Sequence, residues 1–329
     1  MSPPTRASRR GAREIRAIPL LTLACALLLT LACALPRPYE PPWDAGVTTL
    51  PIRDSYARAR IEMVAAVNED RGRHGLPAVA LDSLATVVAQ SHAEEMAAGG
   101  WLSHFTAAGL APYERFAAAG GTGHVLENVF RSQERSRTQL PAEVIWERFD
   151  IREAEGWLMA SEGHRKTILD RWHSRIGVGI ALDARRGAVY VVQEFVTAAA
   201  TIEPPGRVLP GQEAAVSGRM RIEGARPLML VLSREPLVRD WVASGDLPPG
   251  GSYPDGGSDA LVIPPWAIRW NPGDRSFGLR LRIGRGLDEA RWYGVLYAAP
   301  EQAVVRAMSD RQADTGIGWP AAAFVVEVL

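Results

Sequence analysis

The hydrophobic patterning of the chain shifts near residue 203, and this shift limits the fold more than any other feature. Before it, apolar residues recur at helical spacing. Ile61, Val64 and Val67 share a face with Asn68, and Leu84, Val88, Ser91 and Ala93 run on to Met96. After it, the period is two. Val216, Gly218, Met220 and Ile222 alternate with polar neighbours, as do Phe277, Leu279, Leu281 and Ile283. Residues 228–232, 292–297 and 324–329 read as further strands. This predicts an α+β layered domain followed by an antiparallel, all-β, Ig-like sandwich. A length of 329 residues fits about two domains.

Local punctuation sets the boundaries. Gly72, Gly75 and Pro77 stop the first helix; Asp82 or Ser83 caps a second, which Gly99 and Gly100 end. Residues 101–137 read as loop, with Gly120, Gly121 and Gly123 close together. Helical patterning returns at 142–149 and 154–170, and strands are expected at 176–182 and 188–196 around the turn Arg185-Arg186-Gly187. Pro204, Pro205, Gly206 and Pro210 mark 201–210 as a linker between a domain at 55–200 and the sandwich at 211–329.

The N-terminus carries the export pattern. Arg6, Arg9, Arg10, Arg13 and Arg16 precede an uncharged apolar stretch, so residues 1–35 read as a signal peptide or a retained membrane anchor. Leu31-Ala32-Cys33 resembles the end of a bacterial lipoprotein signal, which makes Cys33 a lipidation site and gives membrane association through the N-terminus. Residues 36–54 form a proline-rich tether. The expected location is extracytoplasmic: secreted, or anchored by lipid or by an uncleaved helix. Both cysteines, Cys25 and Cys33, lie in the apolar stretch, so the rest holds no disulfide and no thiolate site. A net charge of zero argues against nucleic acid as a partner.

Several landmarks occur together in order: Asn68, Arg71, Leu76-Pro77 and His92; Ser103-His104; Glu127-Asn128; Trp157; Ser161-Glu162-Gly163-His164-Arg165; Ile176-Gly177-Val178-Gly179; and Gln193-Glu194-Phe195. In this, residues 56–196 resemble the bacterial CAP (SCP-like) domains. The resemblance implies a three-layer α-β-α sandwich with two histidines and two acidic residues facing one cleft. On it, His104, Glu127 and His164 are cleft residues and Asn128 orients the loop. The second acid has no clear match among Glu143, Glu147 and Asp150; Glu147, after Trp146, is the expected one. Metal binding, lipid or sterol binding and proteolysis have each been attributed to members.

Two imidazoles and a carboxylate suit a divalent metal such as zinc, so His104, His164 and Glu127 form an expected ligand set. The leading expectation is a cell-envelope protein whose cleft binds a metal, a lipid-like ligand or a cell-wall component. The rivals are a metal-dependent, peptidase-like hydrolase with Glu127 as general base, and a structural adhesion module. A Ser161-His164-Glu127 triad ranks lower, because Ser161 is placed to cap a helix. His92 reads as a partly exposed helical histidine. Trp266, Trp270 and Trp292 read as core rather than as a sugar platform, and Asp255 and Asp259 as a turn.

Overall fold

The computed structural model describes residues 53–132, 141–147, 149–235, 260–282, 290–312 and 314–328. The export segment with Cys25 and Cys33, most of the tether, and Asp255 and Asp259 lie outside them.

Helix α1 (Arg53–Arg73) opens the described part of the chain, and β1 (Ala80–Leu81) leads into α2 (Ser83–Gly99). The α2 ends are as expected: Asp82 Oδ1 accepts from Ala85 N at 2.9 Å, and Gly100 closes the helix with a left-handed φ of 74°. On α1 the buried stripe is Ala59, Met63, Ala66 and Val67, and Ile61 is 65% exposed. The expected face was therefore rotated, because Met63 rather than Ile61 is in phase with Val67.

Residues 101–137, expected to be loop, hold α3 (Pro112–Ala118) and β2 (His124–Arg131). The strand is hard to see because Glu127 and Asn128, one on each face, are both buried, which erases the period-two signal. The helical stretch that follows is three pieces: α4 (Ala142–Glu147), α5 (Ile151–Ala160) and α6 (Glu162–Ile168). Strands β3 (Arg175–Asp183) and β4 (Ala188–Thr197) close the sheet, whose order is β1-β3-β4-β2.

Three layers result. On one face α2 lies against the sheet, where Gly177 and Gly179 let the helix backbone at Ala85 and Ala89 come close. On the other, α1 and α4–α6 cover Ile176, Val178, Ile180, Val191 and Phe195. Two landmark side chains fasten these layers. Asn68 clamps Val79 through both its amide atoms, at 2.8 and 2.9 Å. Fully buried Arg71 donates to the carbonyls of Pro77, Ile168, Asp170 and His173.

The stretch expected to be a linker is sheet instead. Strands β5 (Ala200–Glu203) and β6 (Arg207–Val208) occupy it, with Pro204, Pro205 and Gly206 between them. Strands β7 (Glu213–Met220), β8 (Ala225–Glu235), β9 (Ala260–Ile263), β10 (Arg269–Asn271), β11 (Ser276–Arg282), β12 (Ala290–Pro300) and β13 (Trp319–Val328) follow. They build two sheets, β10-β11-β7-β5 and β6-β13-β12-β8-β9, over one core that includes Val216, Met220, Phe277, Leu279 and Leu230. The period-two reading holds there, although Ile222 falls outside β7 and is exposed. The pattern did not reveal α7 (Glu301–Asp310), which connects β12 to β13 and buries Val304 and Ala307. Trp292 is core as expected, whereas Trp266 is partly exposed with Arg311 5.3 Å above its ring.

The two halves are joined closely. Tyr113 stacks on Tyr293 at 4.0 Å and Trp172 on Trp319 at 3.9 Å. Arg291 reaches Glu114 at 2.7 Å, and Ala323 N donates to Thr122 O at 3.1 Å. No helix among the described residues is long and apolar enough to cross a membrane.

Candidate functional site

His104 sits on a loop that α2 holds in place. His92 is buried rather than partly exposed: its Nε2 lies 2.8 Å from Ser103 O, and its Nδ1 lies 3.5 Å from Glu95. Glu95 accepts from Ala107 N at 2.8 Å. The loop therefore presents His104 to β2, where its Nδ1 meets Glu127 Oε1 at 2.8 Å. Burial alone would raise the Glu127 pKa, but Arg115, His92 and His104 outweigh it and hold the group below the ordinary carboxylate value. Glu127 is thus the acceptor, and Nδ1 of His104 carries the proton.

The other Glu127 oxygen faces Arg115, which also donates to Glu194 at 3.3 Å and to the carbonyls of His104 and Leu110. One guanidinium thus serves two buried carboxylates. Burial pushes Glu194 up to about 8; Arg115 opposes that rise and Glu127 adds to it. Arg115 was not singled out from sequence, and Glu194 only as part of the closing-strand landmark, not as a cleft residue. The available signal was a carboxylate in the middle of the apolar run Val191-Val192-Gln193-Glu194-Phe195-Val196.

This carboxylate carries a pH prediction. The folded chain keeps a proton on Glu194 that the unfolded chain releases near its ordinary value of 4.5. Between 4.5 and about 8 the folded state binds more protons, so this group lowers stability as pH rises through that window. Glu194→Gln is expected to flatten the fall in thermal midpoint between pH 6.5 and 8.5. Parallel wild-type and variant melting curves across that range would contradict the assignment.

His164 approaches from the opposite helix layer. It is half-buried, and burial together with the nearby His104 lowers its pKa. Its Nδ1 is buried without a hydrogen-bond partner. Asn128, pointing away from Glu127, donates to the His164 carbonyl at 3.2 Å and to Gln193 Oε1 at 3.1 Å. Gln193 in turn donates to Glu155 at 2.6 Å. Burial pushes Glu155 up to about 7, although the Gln193 bond lowers it, and Asp70 adds to the rise. Asn128 therefore fastens α6 to the sheet.

The expected trio is only partly assembled. His104 and Glu127 are bonded, and His164 lies near enough to feel the charge of His104. Among the described residues no group of three or more histidine, cysteine, aspartate or glutamate side chains could hold a metal ion. The donor chemistry agrees, since both Glu127 oxygens already face His104 and Arg115. Glu147 is exposed at the end of α4 and does not line the cavity. Asp150 and Glu153 are the acids that do. Ser161 heads α6 as expected, but its hydroxyl makes no capping bond.

A cavity of about 410 Å³ lies between β2 and α4–α6. Its wall is mainly apolar, with Phe130, Ile145, Phe149, Trp157, Leu158 and Val189 prominent, and Ser161 and His164 supply polar groups. Trp157 is 60% exposed and Leu102 46% exposed, as suits residues at a mouth. The sequence reading missed this cavity, because its wall is assembled from segments far apart in the chain.

The model of the cysteine-rich secretory protein (CAP) family matches residues 64–195. Among solved structures, the chain is similar to an extracellular protein containing an SCP domain from Bacillus anthracis, with 23% identity and a TM-score of 0.37, over 49% of this chain and 47% of that one. It is also similar to an outer surface protein from Borrelia burgdorferi, with 14% identity and a TM-score of 0.35, over 44% of this chain and 94% of that one. The chain thus spans about half the length of the first. No curated protein matches it.

Proposed function

With residues 64–195 as a CAP domain, we propose that the chain is an extracytoplasmic binding protein of the cell envelope. Its ligand, largely apolar with a polar end, enters the cavity between β2 and α4–α6. The observation that carries this reading is the mainly apolar wall, to which Ser161 and His164 add polar groups. Such a wall rewards apolar area removed from water, and its few polar groups can meet a ligand's polar end. The arginine-rich leader followed by an apolar stretch supports export.

Binding is favoured over hydrolysis by the state of Glu127. A general base must reach a substrate proton, whereas both Glu127 oxygens face groups of the protein itself. The Ser161 triad fails for the same reason: the imidazole bonded to Glu127 is that of His104, not His164. A bound metal would require Glu127 to exchange Arg115 for the ion.

The test uses 1-anilinonaphthalene-8-sulfonate, whose emission rises in apolar cavities. The folded full chain is expected to bind it, and Ser161→Trp, which fills the cavity, is expected to weaken binding about tenfold, the equivalent of about 1.4 kcal/mol. Both proteins should melt at similar temperatures. Unchanged dye affinity in the variant would remove the cavity as the ligand site.

A further inference from the structure

Among the described residues, strand β2 is the outer strand of its sheet, next to β4 alone. Residues 129–132 also line the cavity. The register decides which main-chain groups face it. Ser132 N donates to Val189 O at 2.9 Å, and the β2–β4 register runs without a shift from His124↔Thr197 to Arg131↔Tyr190. In an antiparallel ladder, alternate residues turn both N–H and C=O toward the neighbouring strand. Phe130 and Ser132 therefore face β4, while Val129 and Arg131 turn their N–H and C=O outward, on the cavity side. The cavity thus combines apolar walls with a strip of alternating main-chain donors and acceptors at strand spacing.

An acyl chain can use the walls but not the strip. An extended polypeptide uses both: its main chain pairs with the open edge, and its alternate side chains fall to either side of it. Phe130, Phe149 and Leu158 pack in the core on the α4–α6 face, and Leu102 and Gly187 also line the cavity. We propose that the ligand is an extended, apolar peptide segment that adds to β2 as a fifth strand, pairing with Val129 and Arg131. The proposal rests on the cavity being the ligand site.

The probe is a pool of blocked heptapeptides, acetyl-Lys-(X)5-Lys-amide, with valine, leucine, isoleucine or threonine at each X. Its control is the same pool N-methylated at every X, which keeps the apolar side chains and removes the donors. Retention on the immobilised full chain is quantified by mass spectrometry. The parent pool is expected to be retained at least about tenfold better, as befits main-chain bonds of about 1 kcal/mol each.

Arg131 is exposed and its N–H points away from β4, so Arg131→Pro removes one outward donor and spares the ladder. This variant should lose retention about tenfold, whereas Arg131→Ala should not. Dye binding should persist in both. Equal retention of the methylated pool, or full retention by Arg131→Pro, would overturn strand addition. Dye binding without peptide retention would also overturn it and leave the cavity reading standing. Absence of dye binding would remove that reading itself.

Discussion

Arg115→Met is expected to destabilise the chain by about 3–5 kcal/mol, the usual range when one partner of a buried ionic group is removed. The guanidinium is buried and sits between Glu127 and Glu194, which are paired neighbours on β2 and β4. Without it, two carboxylates face each other where water cannot reach, and both must take up protons. The His104 and Leu110 carbonyls also lose a donor. The pH dependence gives the signature: the variant should lose stability more steeply than wild type as pH rises, since Glu127 would join Glu194 in holding a proton. Chemical denaturation at pH 6 and pH 8 measures both effects. Adding Glu127→Gln and Glu194→Gln should restore part of the loss, because the charges needing compensation are gone. A loss under about 1 kcal/mol, typical of exposed pairs, would show that the three groups do not share a buried site.

Gly177→Ala is expected to cost about 3 kcal/mol, at the upper end for an inserted methyl group. A Cβ at 177 would overlap the backbone of Ala85, and one at 179 the backbone of Ala89. Backbone cannot rotate aside as a side chain can, so α2 must lift from the sheet. Loss of close packing between α2 and β3 would also loosen His92 and Glu95, which hold the His104 loop. Adding Gly179→Ala should cost less than its own single effect, because the helix is already displaced. Thermal and denaturant unfolding of the three variants checks this. Full stability in Gly177→Ala would contradict the close approach.

The fold was legible where local chemistry decides it. Asp82 and Gly100 marked the ends of α2, and alternation at 277–281 marked β11. It was illegible where tertiary contact overrides local pattern. Strand β2 hides because consecutive polar residues, Glu127 and Asn128, are buried on opposite faces, bonded to Arg115 and Gln193. The prolines at 204 and 205 suggested a linker, yet they lie between short strands that pair with β7 and β13. At the site, the resemblance brought His104 and Glu127 forward correctly as neighbours. Sequence reasoning pointed to Glu147 because it follows Trp146, but helix α4 ends there with the side chain in solvent. Asp150 and Glu153 line the cavity from the cap and first turn of a separate helix, α5, which starts at Ile151.

Two of the contacts joining the halves fall on the short helix α3. Tyr113 and Glu114 are held by Tyr293 and Arg291 of β12, and the next residue is Arg115. A mechanical load on the C-terminal sheets is therefore delivered one residue from the guanidinium that neutralises the interior carboxylates. An excised fragment ending at residue 200 would lack that anchorage and would report on a differently supported α3.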